Sequence, residues 1–326
     1  MMFSDVIATI RSLSSFLITS HVRPDGDAVG SELALYHALR GIGKKAVVYN
    51  QDQTPEIYRF LPGSEDIIHS MEDINGFDAA FVLDCSDIDR IGNEAGRVRS
   101  LETIISIDHH ISSGDTFSKL LLADPTASST GEIVYRLLSR MGIAITTDIA
   151  TNIYTAILTD TGSFRYSNTG IETFRVAADL VEKGADCRYI AQSIYETRSA
   201  VQVRLIGKAI DTLELSQGDK VGSICVTQEM LNREGALPEH TEGLVDIVRS
   251  IQGVEIAICY HEVSKGRYKI SLRSKGTVNV EKIAGLLGGG GHVNASACRV
   301  EGTITTIKRR LIDAIKTVSM EDNLGI

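Results

Sequence analysis

No Cys-x-x-Cys pair occurs among the five cysteines of this 326-residue chain, Cys85, Cys187, Cys225, Cys259 and Cys298, and their number is odd. Scattered as they are, they exclude a disulfide framework. No apolar run approaches the length of a membrane span, so the sequence predicts a cytoplasmic protein without a membrane partner. No dense block of basic residues is present: Lys and Arg total 33 against 42 Asp and Glu, a formal net charge of −9. That counts against a protein gripping long duplex nucleic acid, which needs clustered cations along the phosphates, and leaves small anionic substrates open. There is no low-complexity tract and no internal repeat.

What is present is a 43% hydrophobic chain, long enough for two domains and a substantial core. An amphipathic start (Val6, Ile7, Ile10, Leu13) predicts a short helix capped by Ser4 rather than a signal peptide. Four short apolar runs then alternate with helical patterns: "FLITS" (16–20), "KAVVYN" (45–50), "DAAFVLD" (78–84) and "TIISID" (103–108). This rhythm predicts α/β architecture, a parallel sheet covered by helices. "SELALYHALRGIG" reads as a helix ending near Gly41. "SSTGEIVYRLLSRMG" reads as another, with Ser129 and Glu132 as a capping box and Gly142 as its stop. Helical patterns continue from Asp148 to about Lys208. Strands are expected at "VGSICV" (221–226), "VEIAICYHE" (254–262) and "YKISLRS" (268–274), then a helix and the run "GGGGHVNASA". The expected division is a first domain over 1–190, a helical linker over 191–214 and a smaller α+β domain over 215–326.

The unusual polar residues fall at the ends of apolar runs: His21, Asp25 and Asp27 after "FLITS", Asp84 after "AAFVL", Asp108, His109 and His110 after "TIISI", and Asp160 after "IYTAIL". Each alone has an ordinary reading. Pro-Asp-Gly favours turns, and an aspartate at a strand end often caps the next helix. In an open parallel sheet, however, strand C-termini face one crevice, so the four clusters are expected to converge. Five carboxylates and three imidazoles gathered without a counter-ion would drive carboxyl pKa values upward. Divalent cations resolve this. Mixed carboxylate and imidazole donors without cysteine favour Mn²⁺, with Mg²⁺ as the alternative, and the number of donors suits two ions sharing one aspartate.

In the second half, consecutive glycines can turn several backbone N–H groups toward one anion, although such a run alone is more often a loop. With His292 beside it and Arg273 on a neighbouring expected strand, an anion cradle formed by Gly289, Gly290 and Gly291 is the favoured reading.

Together these residues resemble the DHH phosphoesterases, over nearly the whole chain. The ordered motifs are "HVRPDGDAVGS", "VLDCSD", "SIDHH" and "ILTDTGSFRY", with "GGGGHVNASA" similar to the DHH-associated domain 1. The resemblance implies a Rossmann-like catalytic domain, with the active site in a cleft between it and the second domain. It implies one cation site from His21, Asp25 and Asp84 and another from Asp27, Asp84, His109 and Asp160, with Asp84 bridging. Asp108 would orient an imidazole and His110 would face the scissile phosphate. Arg273, Gly289, Gly290, Gly291 and His292 would hold the nucleotide.

The implied activity is two-metal hydrolysis of short oligoribonucleotides, or of pAp, the adenosine bisphosphate phosphorylated at both ends of its ribose. Hydrolysis of linear pApA or cyclic di-AMP is the alternative. The acidic charge argues against a RecJ-like exonuclease, which wants a basic channel. No expected cation ligand is substituted, which argues against a nucleotide sensor without turnover. Subunit number stays open, a homodimer included.

Overall fold

Apolar runs that alternate sides of one sheet build the first half of the chain. The computed structural model describes residues 2–71, 73–74, 76–110, 117–276 and 278–321, the side chains of Met2, His292 and Glu321 excepted. The chain divides into two units, Met1–Thr197 and Arg198–Ile326. In the first, the elements run α1 (Met2–Ser12), β1 (Ser15–Thr19), α2 (Gly26–Gly41), β2 (Lys45–Tyr49), β3 (Ala79–Leu83), α3 (Ala95–Arg99), β4 (Ile104–Asp108), β5 (Leu120–Ala123), α4 (Thr130–Met141), α5 (Thr147–Asp160), α6 (Ile171–Glu182) and α7 (Cys187–Tyr195). The sheet order is β2-β1-β3-β4-β5, with every pairing parallel.

Both faces of that sheet are covered, as a parallel sheet requires. Phe16 and Ile18 of β1 enter the core shared with α2, α4 and α5, while Leu17 between them enters the opposite core with Val82, Ile88 and Val98. The chain leaves β1 toward β2 on one side and returns to β3 on the other. The β1/β3 border is therefore the point where winding reverses and a crevice opens at the strand C-termini. His21 follows β1 and Asp84 follows β3, on either side of that border.

Three glycines let the helices over this crevice approach closely. A Cβ on Gly26 would lie 2.5 Å from Thr159 Oγ1, one on Gly30 2.5 Å from the Asn152 carbonyl, and one on Gly131 2.5 Å from Ala156 Cβ. All three contacts are with α5, so α2 and α4 are seated against the helix that ends at Asp160.

The second unit contains α8 (Ala200–Ile210), β6 (Glu214–Ser216), β7 (Val221–Val226), α9 (Gln228–Glu234), α10 (Leu244–Arg249), β8 (Ile256–Ser264), β9 (Arg267–Ser274), α11 (Val280–Gly285), β10 (Gly290–His292), β11 (Ala295–Glu301) and α12 (Ile304–Glu321). Its sheet is ordered β10-β11-β9-β8-β7-β6, with β7 and β8 parallel and the other pairs antiparallel. Helix α8 occupies the stretch expected as a linker, and its Leu205 and Ala209 are buried in the core with Ile224 and Val248. No described helix is long and apolar enough to cross a membrane.

Some local expectations differ. Helix α1 begins before Ser4, so Ser4 lies inside its first turn. Ser129 caps α4 as expected, but the Glu132 carboxylate accepts from the Ser128 N–H and hydroxyl instead of returning to Ser129. Helix α2 starts at Gly26 rather than Ser31, because Asp25 acts as its cap and accepts from the N–H groups of Asp27 and Ala28, both at 3.1 Å.

Candidate metal centre

The acidic and imidazole side chains come from five places in the first unit, the ends of β1, β3, β4 and α5 and the start of α2. His21 lies just beyond β1, Asp25 caps α2, and Asp27 sits in the first turn of α2. Asp84 follows β3 with φ +53°, a left-handed backbone that aspartate tolerates better than most residues. Asp108 ends β4, His109 and His110 follow, and Asp160 ends α5. The structure brings all eight together.

Asp84 is the centre of the group. Its Oδ2 lies 3.6 Å from His21 Nε2, and its Oδ1 lies 3.6 Å from His109 Nε2. His109 Nε2 is also 3.7 Å from Asp27 Oδ2 and 3.6 Å from Asp160 Oδ2. These separations exceed hydrogen-bonding distance. They are a few tenths of an ångström wider than donors about a shared ion, since atoms held about 2.1 Å from one metal sit roughly 3.0–3.4 Å apart. Donor atoms of His21, Asp25 and Asp84 all lie within 4.8 Å of one another, and so do those of Asp27, His109 and Asp160. A third such group, Asp84, His109 and His110, overlaps them.

The imidazoles are oriented from behind. His21 Nδ1 is 2.9 Å from the Val22 carbonyl, leaving Nε2 to face Asp84, and His109 is hydrogen-bonded to the backbone of Ala127. Ligand histidines commonly have such an anchored second nitrogen. Asp108 serves His110 instead: its Oδ1 accepts from His110 Nδ1 at 2.7 Å and from the His110 N–H at 2.9 Å. Burial opposes protonation of His110, but the Asp108 bond and the charges of Asp84, Asp108 and Asp160 outweigh it and raise its pKa to about 9.

The carboxylates show the strain of crowding. Burial, then repulsion from Asp84 and Asp25, lifts Asp160 to about 7, and burial with Asp84 nearby lifts Asp25 as well. Asp27 is raised well above the ordinary carboxyl range, through burial and then Asp84, Asp160 and Asp25. Asp84 moves the opposite way, to about 2, because the three surrounding imidazoles, His21 foremost, overcome its burial. A site where three of four carboxyls resist ionisation while their donor atoms converge fits positive charge supplied from outside the chain.

Several groups touching these residues carry no signal of ligation in the sequence. The N–H groups of Thr130 and Gly131 donate to Asp27 at 2.7 and 2.9 Å, the Thr130 hydroxyl donates to Asp84 at 3.1 Å, and the Ser31 hydroxyl to Asp27 at 2.9 Å. Asn168 Nδ2 lies 3.2 Å from Asp160 Oδ2 and 2.9 Å from the Ser128 carbonyl. The start of a helix at "SSTG" was legible, and a helix start exposes N–H donors. Which carboxylate they hold was not.

The expected nucleotide-holding residues belong to the second unit. Arg273 lies on β9, its Nε 3.8 Å from Asp246 Oδ1 and its Nη1 donating to the Leu272 carbonyl at 3.1 Å. The glycine run is partly a strand: Gly290 pairs with Ala297, Gly291 with Ser296 and His292 with Ala295. Gly289 has no room for a Cβ against the Ala297 carbonyl. Gly291, at φ +146°, would place one 2.5 Å from the Ala295 carbonyl, whereas nothing lies within 4 Å of a Cβ on Gly290. Close pairing with β11 thus accounts for Gly289 and Gly291. The side chain of His292 lies outside the described residues.

Comparison with known proteins gives concordant results. Residues 15–157 match the DHH family, N-terminal domain, and residues 222–320 match the DHHA1 domain. The chain is 33% identical to the bifunctional oligoribonuclease and PAP phosphatase NrnA of Thermus thermophilus, over 92% of this chain and 88% of that protein. It is 28% identical to the NrnA of Bacillus subtilis, over 92% and 93% of the two chains. Among solved structures, an exopolyphosphatase-related protein from Bacteroides fragilis superposes with a TM-score of 0.92 at 30% identity, over 97% of this chain and 96% of that one.

Proposed function

That this chain belongs to the DHH family is the premise from which we propose its reaction: hydrolysis of phosphoester bonds in short oligoribonucleotides and in pAp, assisted by two divalent cations. It is a phosphoesterase by family. The observation that carries the two-cation reading is the division of Asp84, one oxygen 3.6 Å from His21 and the other 3.6 Å from His109. His21, Asp25 and Asp84 would hold one cation, and Asp27, Asp84, His109 and Asp160 the other. Two nitrogen donors within a carboxylate set favour Mn²⁺ over Mg²⁺.

When bound, a cation pair lowers the pKa of water and stabilises charge developing on the phosphoryl oxygens. The chain's own groups do the rest. Asp108 keeps the His110 ring oriented by accepting from its Nδ1, and His110 would act at the leaving oxygen, as proton donor or as stabiliser of its developing charge. Arg273, Gly289, Gly290, Gly291 and His292 hold the nucleotide. The net charge of −9 disfavours long strands, which would meet repulsion beyond the site.

A substrate panel tests this reading. Chelated protein is supplied with Mn²⁺ or Mg²⁺ and offered pAp, RNA of two to about five nucleotides, pApA, cyclic di-AMP and a long single strand. The expected outcome is no activity after chelation, better recovery with Mn²⁺, and fastest turnover of pAp and the shortest RNAs. Undiminished activity after exhaustive chelation overturns the cation reading. Equal rates on long and short strands overturn the substrate reading.

A further inference from the structure

We propose that Thr130 is a positioning residue that locks Asp84 in its bridging orientation and so couples the two cation positions. The inference rests on the two-cation reading above. Asp27 and Asp84 reach the site from different elements, α2 and the end of β3, and no covalent feature sets one against the other. Both converge on Thr130. Its N–H donates to Asp27 Oδ2 at 2.7 Å, and its hydroxyl donates to Asp84 Oδ1 at 3.1 Å. An ionised carboxylate only accepts, so the direction of the second bond is settled.

Three features make this contact more than incidental. Thr130 is 0% exposed, so no bulk water competes for either bond. The oxygen it binds, Asp84 Oδ1, is the one facing His109, while Oδ2 faces His21; fixing Oδ1 therefore fixes the plane of the carboxylate and points each oxygen at a different imidazole. Finally, the backbone beside Thr130 is closely packed. The next residue, Gly131, leaves no room for a Cβ against Ala156 of α5, the helix that ends at Asp160. One residue thus references Asp27 through its backbone and Asp84 through its side chain, in register with the helix carrying the third carboxylate. Without the hydroxyl, the Asp84 carboxylate could rotate about Cβ–Cγ, and one oxygen would no longer serve each position.

Thr130→Val keeps the shape and the N–H to Asp27 while removing the hydroxyl; Thr130→Ser keeps the hydroxyl. The readouts are Mn²⁺ titration by calorimetry and electron paramagnetic resonance of the loaded protein, where ions sharing a carboxylate show spin coupling. Losing a group that orients a ligand commonly weakens metal affinity by about 10- to 100-fold. Val is therefore expected to weaken at least one ion by about tenfold and to shift the spectrum toward isolated ions, with Ser remaining within about threefold of wild type. Thr130→Ala removes the hydroxyl without adding a methyl and carries the same expectation if Val does not fold. A folded Val or Ala variant with wild-type affinities and a coupled spectrum overturns the proposal. So does a Ser variant as impaired as Val. Wild-type protein that binds fewer than two Mn²⁺ overturns the two-cation reading itself, an outcome distinct from equal binding by wild type and variant.

Discussion

The two units handle buried charge in opposite ways. Among the described residues, every buried carboxylate, Asp27, Glu32, Asp84, Asp108 and Glu132, lies in the first unit, whereas the buried polar residues of the second are serines and His261. The second unit's core of Ile258, Tyr260, Leu272, Ile283 and Leu311 is conventional, and its acidic residues meet their partners near the surface, as Lys220 does Glu255. Buried carboxylates cost stability unless they are paired. The first unit bears that cost at Asp27, buried beside Asp84, and crowding raises the less buried Asp25 and Asp160 as well. Chemistry is therefore expected to be sensitive to the first unit, and affinity to the second.

The strongest test of that contrast is Asp84→Asn, which keeps the shape of the shared ligand while removing its charge. Turnover of a dinucleotide should fall about a thousandfold or more, with the fold preserved by circular dichroism. A folded variant within about tenfold of wild type would break the assignment of the bridge.

Next in size is a pH effect in the chelated protein. Burial outweighs the Asn50 and Ser20 hydrogen bonds and raises Glu32 from its ordinary 4.5 to about 8. Below 4.5 both folded and unfolded chains hold the proton; between there and about 8 only the folded chain does, so its stability declines as pH rises and levels off above about 8. Asp25, Asp27 and Asp160 contribute in the same direction, so Glu32→Gln should make the decline shallower by Glu32's share, on the order of a few kcal/mol, rather than abolish it. Parallel denaturant curves for both proteins across this range would show that Glu32 is not a source.

Packing sharpens the contrast further. Gly30→Val forces a side chain onto the Asn152 carbonyl and should cost about 1–3 kcal/mol in urea unfolding. Gly290→Ala, with nothing within 4 Å of the new Cβ, should stay within about 0.5 kcal/mol. Equal losses at both sites would mean that close approach to α5 is not what demands glycine.

A modest effect, confined to affinity, is expected of Arg273→Ala. It should raise KM for pAp about tenfold with kcat and Mn²⁺ binding little changed. A matching fall in kcat would place Arg273 at the reacting phosphate and erase the division of labour between the units.

Much of the first unit was legible from local pattern. The runs at 16–20, 45–50, 78–84 and 103–108 became β1 to β4, because a two-sided parallel strand needs an apolar run closed by polar residues. Strand β5, Leu120–Ala123, escaped because four residues are too few to show a period. The early start of α2 escaped because "PDG" is equally good turn and cap chemistry, and only the accepted bonds at Asp25 decide between them. In the second unit the glycine run was visible, but its pairing with β11 was not, since strand partners are chosen at long range.

By itself the sequence determined which side chains would meet. His21, Asp25, Asp27, Asp84, Asp108, His109, His110 and Asp160 stand at element ends, and element ends in a parallel sheet share one rim. Tertiary structure alone decided how they meet: the β2-β1-β3-β4-β5 order that sets His21 beside Asp84, the division of Asp84 between two imidazoles, and the hold of Thr130 on two carboxylates. The physical reason is range. Element ends follow from residues a few positions apart, whereas Thr130 reaches Asp27 across 103 positions of chain and Asp84 across 46, contacts that exist only once the helices have packed.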